Sequence, residues 1–248
     1  MRVFLTILLA VVAMSPAMAA DLKLLTAGAY KSVALDLVAE FEKRTGHKVT
    51  VENDTAGALA RRVGAGEAFD VVVIPPAAMA PLLGGKLIES SAKPLARVGI
   101  GVAIKQGAPV PDISSVETWK KSLLAARAIA YTDPASGGTA GTYLANLFEK
   151  LGIAAELKPK TVLVKGGLAA EKLISGEADI AMQPASELLA VPGAQLVGPI
   201  PLEVQTYILY SGAVGTATRD RQAADALMLT LADPKNLPVL KKRGLDAP

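Results

Sequence analysis

The chain has 248 residues, of which 51% are hydrophobic and 20% are charged, and its formal net charge is +3. A chain of this length can bury a large core, as one domain or as two modest lobes. The small, scattered positive charge argues against a nucleic-acid partner. The absence of cysteine excludes disulfide bonds, thiol catalysis and a lipoprotein anchor.

The N-terminus has the pattern of a secretory signal peptide. Arg2 is the only charge before Asp21, an apolar run covers residues 3–14, and Ala17-Met18-Ala19 has the small residues of a cleavage site. The run is shorter than the roughly 20 residues that span a bilayer, which disfavours the alternative of an uncleaved anchor. We therefore predict that residues 1–19 are removed and that the mature protein is periplasmic. No later segment is long and apolar enough to cross a membrane.

Strands alternate with helices along the first part of the mature chain. A strand at 22–25 precedes a helix with an apolar face at 33–41, and Gly46 ends that helix just after basic residues. A strand at 48–51 and a helix at 58–63 follow, and the β-branched run 70–74 indicates a strand buried on both faces. This alternation predicts right-handed βαβ units and a mostly parallel sheet.

The same alternation continues to the C-terminus. Two strands, at 97–104 and 204–210, are expected to cross between two lobes, and Trp119 is expected to pack against the sheet. The other predicted elements are strands at 128–131, 161–164 and 178–182 and helices at 114–126, 143–151, 165–176, 220–231 and 234–242.

Residues 132–142 form a Gly/Ser/Thr loop that follows a predicted strand and opens a helix. Small residues let a ligand approach the backbone, and the first amides of a helix lack intrahelical acceptors. Together with the helix dipole they favour an anion, although an ordinary capped helix start would have the same composition. The loop lacks the lysine of a nucleotide-binding P-loop.

Similar loops lie near Ala29, Thr55 and Gly166. Because ligands of open α/β sheets bind at the carboxyl ends of strands, we expect all four loops to face one cleft.

The segment 55–71, Thr-Ala-Gly-Ala-Leu-Ala-Arg-Arg-Val-Gly-Ala-Gly-Glu-Ala-Phe-Asp-Val, resembles periplasmic molybdate-binding proteins of ABC importers. The segments 41–46 and 176–180 and the Asp133-Pro134 turn are also similar. The resemblance covers nearly the whole mature chain. It implies an α/β periplasmic-binding-protein fold of two lobes, each a mostly parallel sheet flanked by helices, with two crossover segments and the ligand between the lobes. Lobe 1 would comprise residues 20–97 and 206–248, and lobe 2 residues 98–205.

The resemblance also indicates where a ligand would bind. Two serines and a tyrosine of the family fall on Ala29, Ala56 and Pro184, whereas the amide donor at Ala140 is kept. Neighbouring polar residues replace some of the missing hydroxyls in this interpretation. The candidate ligand-binding residues are Ala29, Tyr30, Thr55, Ala56, Ser136, Gly137, Thr139, Ala140, Lys165, Gly166 and Gln183.

The lost hydroxyls change the expected ligand. A hydrogen bond to a charged group contributes roughly 1.5–3 kcal/mol, so losing three would cost about 4.5–9 kcal/mol. We therefore expect a small organic carboxylate or an oxyanion of another size, and keep molybdate or tungstate as the alternative. Tyr30, Lys165 and Gln183 suit a larger ligand with carboxylates.

Each candidate side chain also has an ordinary structural alternative. Thr55, Ser136 and Thr139 could be helix caps, and Lys165 a solvated charge. Tyr30 could be a packed side chain and Gln183 part of a turn.

These observations predict an extracytoplasmic solute-binding protein of an ABC importer, which delivers a small anion to a membrane permease and acts as a monomer. No cofactor or metal is expected, because no cluster has metal-ligand spacing. A periplasmic enzyme acting on an anionic substrate is the weaker alternative, since no catalytic triad can be built around His47, the single histidine. A sensory module that hands its ligand to a receptor is a further alternative.

Overall fold

The computed structural model describes residues 19–248, so the predicted signal peptide lies outside the described residues except for Ala19. The strands in this range are β1 (Asp21–Ala27), β2 (Lys48–Asp54), β3 (Val71–Ile74), β4 (Lys93–Lys105), β5 (Ile129–Thr132), β6 (Thr161–Val164), β7 (Ile180–Pro184), β8 (Ala194–Pro199) and β9 (Tyr207–Val214). The α-helices are α1 (Lys31–Thr45), α2 (Ala56–Gly64), α3 (Pro76–Met79), α4 (Val116–Ala125), α5 (Thr139–Lys150), α6 (Ala154–Leu157), α7 (Glu171–Ile174), α8 (Ala185–Leu188), α9 (Arg221–Leu231) and α10 (Leu237–Lys242).

The strands form a two-lobed α/β architecture around one shared strand. The sheet order is β2-β1-β3-β9-β4-β7-β5-β6, and β8 also pairs with β4. In one lobe β1 is parallel to β2 and β3, and in the other β5 is parallel to β6 and β7. The long strand β4 pairs with β9 up to Gly99 and with β7 and β8 from Ile100 onward. The chain therefore passes from lobe to lobe at this point of β4, whereas the residue boundaries of the lobes stay a prediction.

The two crossover segments are joined by hydrogen bonds at Ile100. The Ile100 amide donates to Gln205 Oε1 at 3.0 Å, and Gln205 Nε2 donates back to the Ile100 carbonyl at 2.9 Å. The amide of Ile200 donates to the same carbonyl at 3.1 Å. The outgoing and returning chains are thus held together where the sheet changes partners.

The buried faces of the helices follow the predicted spacing. Helix α1 buries Val33, Leu37 and Phe41 against the sheet and ends at Gly46, whose φ of 79° is left-handed. Trp119 of α4 is fully buried, with its ring centroid 6.1 Å from that of Phe148 in α5. None of the helices between residues 19 and 248 combines the length and the apolar composition that a bilayer span requires.

Four details differ from the sequence predictions. The predicted helix 165–176 contains only the short α7, because Gly166 and Gly167 adopt φ values of 135° and 85° that no right-handed helix allows. Strand β7 continues through Gln183 and Pro184 instead of ending before them. Strand β9 starts at Tyr207, since residues 202–204 form a 3₁₀ turn. Strand β8 and the four-residue helices α3, α6 and α8 have no counterpart in the prediction.

Candidate functional site

A cavity of about 470 Å³ lies between the two lobes. Strands β1, β2, β5 and β6 have their carboxyl ends at the wall of this cavity. The loops that follow these strands are the four predicted loops, and all four contribute to the wall. Thr55 and Thr139 in particular line the same cavity. The parallel pairing explains this convergence, because carboxyl ends of parallel strands meet at one edge of a sheet.

Helix starts supply backbone donors from both lobes. Ala29 lies in a 3₁₀ turn that leads into α1, Ala56 begins α2, and Thr139 and Ala140 begin α5. All four residues lie on the cavity wall. The first amides of each helix have no acceptor within the helix, and the helix dipole makes this end positive. The arrangement suits a bound anion.

The lobes touch beside this cavity. The Thr55 hydroxyl donates to the Ser136 carbonyl, and the Gly57 amide donates to the Gly137 carbonyl at 3.1 Å. Gly137 has a left-handed φ of 81°, and a Cβ atom on Gly57 would lie 2.9 Å from the Gly137 Cα. Glycine at both positions therefore allows the two backbones to meet, and Gly137 lies at this contact rather than on the cavity wall.

Two of the predicted hydroxyl donors have local partners. The Thr55 hydroxyl caps α2 by accepting from the Ala58 amide at 3.2 Å, while its proton goes to Ser136. The Ser136 hydroxyl donates to the Asp133 carbonyl at 2.7 Å, and Ser136 does not line the cavity. The Thr139 side chain makes no hydrogen bond with any of residues 19–248 and is exposed on the wall. Of the three, Thr139 has the hydroxyl that a ligand can use.

Gln183 lines the cavity but its side chain is fully engaged by the protein. Its Oε1 accepts from the Ala169 amide at 2.6 Å, and its Nε2 donates to Thr132 Oγ1 at 2.9 Å and to the Gly167 carbonyl at 3.1 Å. The residue is 1% exposed. Gln183 thus fixes the loop that carries Gly166, which lies on the wall.

Two further predicted residues point away from the wall. Tyr30 is fully buried, and its hydroxyl has no hydrogen-bond partner in the described part of the chain. Burial raises its pKa, so it stays neutral. Lys165 is exposed outside the cavity lining. This geometry does not favour a ligand contact by either side chain, and such a contact stays a prediction.

The wall residues that are absent from the sequence prediction include Lys31, Glu187 and Tyr210. Lys31 opens α1 and is an exposed cation in no ion pair within residues 19–248. Burial of the carboxyl group raises the pKa of Glu187 to about 8. The pKa of Tyr210 is raised by burial and, to a lesser extent, by the charge of Glu187. The only sequence signal for Lys31 is its place next to Tyr30, and nothing in the sequence singles out the other two.

Comparisons with known proteins identify the family. Residues 22–246 match the family described as bacterial extracellular solute-binding protein, so the chain belongs to that family. It is 32% identical over 231 residues to an aconitate isomerase from a Pseudomonas species, an alignment that covers 90% of this chain and 87% of the relative.

Solved structures share the fold. The periplasmic molybdate-binding protein of Azotobacter vinelandii superimposes with a TM-score of 0.77 at 20% identity, covering 92% of this chain and 99% of that one. The sulfate-binding protein SubI from Mycobacterium tuberculosis gives 0.72 at 16% identity, covering 92% and 87%. The resemblance to a molybdate-binding-like solute-binding family and the two-lobed fold predicted from the sequence are confirmed.

Proposed function

We propose that this protein binds a small organic anion with more than one carboxylate in the cleft between its lobes. The periplasm is the proposed location, and an ABC permease is the partner that would receive the ligand. The observation that carries the proposal is the convergence of helix N-termini from both lobes on one cavity, with the Lys31 cation on its wall. Backbone amides at helix starts and ammonium groups bind carboxylates through charge-assisted hydrogen bonds.

The size and chemistry of the cavity favour an organic anion over a bare oxyanion. Its volume of about 470 Å³ falls in the roughly 300–1,000 Å³ range of small-molecule pockets. Alanine at positions 29 and 56 offers no hydroxyl, and the Thr55 hydroxyl is used within the protein. A compact tetrahedral oxyanion would therefore leave much of this cavity empty and find few hydroxyl donors.

The named relative supports the same ligand class. Aconitate, the compound in the name of the Pseudomonas relative, is a tricarboxylate with one carbon–carbon double bond. The two solved neighbours carry the names of inorganic oxyanions instead, but at 20% and 16% identity they support the fold alone. The ligand proposal therefore follows the relative at 32% identity.

A ligand panel tests the proposal. We expect cis-aconitate, trans-aconitate or citrate to raise the unfolding temperature of the mature protein, whereas molybdate and tungstate leave it unchanged. A ligand at about a hundred times its dissociation constant adds roughly 2.7 kcal/mol to the stability. Calorimetric titration with the same compounds provides the dissociation constants. Stabilisation by molybdate and by none of the carboxylates would establish the oxyanion alternative.

A second candidate function is catalytic: isomerisation of a bound unsaturated tricarboxylate. The same 32% identical relative is named for this activity, and the cleft holds Glu187, whose pKa of about 8 suits proton transfer near neutral pH. The test is to incubate the protein with trans-aconitate, denature it and identify the released compound by chromatography. An isomerase releases a mixture of the cis and trans forms, whereas a pure binding protein releases only what was added.

A further inference from the structure

Glu187 places its carboxyl group on the cleft wall, against the first of the amide-bearing loops. It lies in α8, which packs on the first cleft loop through a 2.8 Å hydrogen bond from Ser186 Oγ to the Ala29 carbonyl. A Cβ atom at position 28 would clash with Glu187 Oε1, so glycine at that position lets the carboxyl approach the loop. Within residues 19–248 the carboxyl makes neither a hydrogen bond nor an ion pair, and Glu187 lines the cavity.

An unpaired carboxyl is a poor neighbour for an anion unless it carries or exchanges a proton. Two negative charges at close range in a poorly solvated site repel each other, so a structural or binding role alone would favour a donor such as glutamine. Burial already raises the pKa of Glu187 to about 8, near the pH at which it can both accept and return a proton.

The other charged groups of the wall are less suited to take a proton from carbon. Asp54 accepts from the Thr55 amide at 2.8 Å and lies 3.7 Å from the Arg62 guanidinium, so its carboxylate already has partners in the protein. Glu171 is exposed to solvent at the start of α7, and Lys31 is a cation. Tyr210 has a raised pKa and remains a neutral hydroxyl. Among these described wall residues, Glu187 is the carboxyl group that combines a raised pKa with a position against an amide-bearing loop.

We infer that Glu187 is the catalytic residue of an allylic proton shift on an unsaturated polycarboxylate held in the cleft. The inference rests on the second candidate function proposed above. Catalysis of this kind needs a base beside the substrate and donors for the charge that develops, and the cleft places both around one cavity.

The step balances without any co-reactant. The Glu187 carboxylate takes a proton from the methylene carbon of the substrate, and the released electron pair forms a double bond to the central carbon. The original double-bond pair moves onto the far carbon, which takes the proton back from Glu187. In between, the negative charge spreads onto carboxylate oxygens, where the amides of Ala29, Ala56 and Ala140 stabilise it. For aconitate the product differs from the substrate only in cis or trans geometry.

The test follows cis- and trans-aconitate in D₂O by proton NMR, with binding measured in parallel by calorimetry. The wild-type mature protein should interconvert the isomers and introduce deuterium at the exchanging carbons. Glu187→Gln should lower this rate by roughly 10²- to 10⁴-fold, the usual contribution of a general base, while the dissociation constant changes only a few-fold. Glu187→Asp, which withdraws the base by one methylene, should retain an intermediate rate.

Glu203→Gln is the matched control, because it makes the same carboxyl-to-amide replacement at an exposed position away from the cavity lining. It should behave as the wild type. Circular dichroism and the unfolding temperature verify that each variant is folded, and Glu187→Asp decides the result if the glutamine variant is not.

The possible failures can be told apart. If Glu187→Gln interconverts aconitate at the wild-type rate, another base acts and the inference is wrong. If the wild type binds aconitate but neither isomerises it nor exchanges its protons, the inference fails while the binding function stands. If neither isomer binds, the catalytic role of Glu187 fails, and the citrate arm of the ligand panel decides whether the proposed ligand class stands.

Discussion

Replacing Gly57 by alanine is expected to weaken ligand binding by roughly 5- to 150-fold. A Cβ atom at this position would lie 2.9 Å from the Gly137 Cα and 3.2 Å from the Gly137 carbonyl oxygen. Both are backbone atoms of the opposite lobe, so neither can rotate aside. Overpacking of this kind costs typically about 1–3 kcal/mol, and each 1.4 kcal/mol is a factor of about ten in affinity.

Gly57→Ala should destabilise the contact between the lobes without destabilising the fold of either lobe. Gly57 lies inside α2, where alanine is the better helix former by about 1 kcal/mol. If the lobes open at the crossovers when no ligand is bound, the unliganded variant relieves the clash and its unfolding temperature does not fall. Binding of a carboxylate then requires closure against the added methyl group.

Gly64→Ala provides the control in the same helix. The nearest atom to its added Cβ would be Leu82 Cδ2 at 4.0 Å, and the position does not face the other lobe. We expect unchanged affinity by calorimetry with aconitate or citrate, and equal or higher stability. Equal affinities for Gly57→Ala and Gly64→Ala would show that contact between Gly57 and Gly137 is not needed for binding.

Local sequence patterns predicted most of the fold because most of the longer strands and helices have a marked pattern of their own. The β-branched run of β3 and the apolar face of α1 agree with elements of the matching type. Strand β8 was missed because its six residues end in Gly198-Pro199 and lack a clear alternation. Helix α8 has only four residues, which is too short for a helical period to show.

The backbone part of the site was easier to predict than its side chains. The positions of Ala29, Ala56, Ala140 and Gly166 at one cavity follow from the order of parallel strands and their carboxyl-end loops. Whether a hydroxyl serves a ligand or a nearby backbone group depends on distances that sequence does not contain, as at Thr55.

The position of Glu187 depends on tertiary packing. It reaches the cavity because α8 packs against the first cleft loop, from which it is separated by more than 150 residues in sequence. No local pattern marks such a contact, so this wall residue with a strongly raised pKa was absent from the prediction.

Gln183→Leu is expected to lower the free energy of unfolding by about 2–6 kcal/mol even without a ligand. The buried amide of Gln183 joins β7 to β5 through Thr132 and to the loop after β6 through Gly167 and Ala169. Leucine has a similar volume but leaves the Ala169 amide and one further group without a partner, at about 1–3 kcal/mol for each. Denaturant unfolding of the unliganded protein measures the change.

Gln195→Leu is the matched control, since Gln195 is exposed on β8 and its side chain makes no hydrogen bond with the rest of residues 19–248. We expect its stability to stay within about 0.5 kcal/mol of the wild type.

The comparison of the two variants also separates the two roles considered for Gln183, positioning of a loop and direct contact with the ligand. A residue that positions the Gly166 loop loses stability first and affinity as a consequence, because the loop is no longer fixed at the wall. A direct ligand contact would instead lose affinity for the carboxylate while the unliganded protein unfolds at the wild-type denaturant concentration.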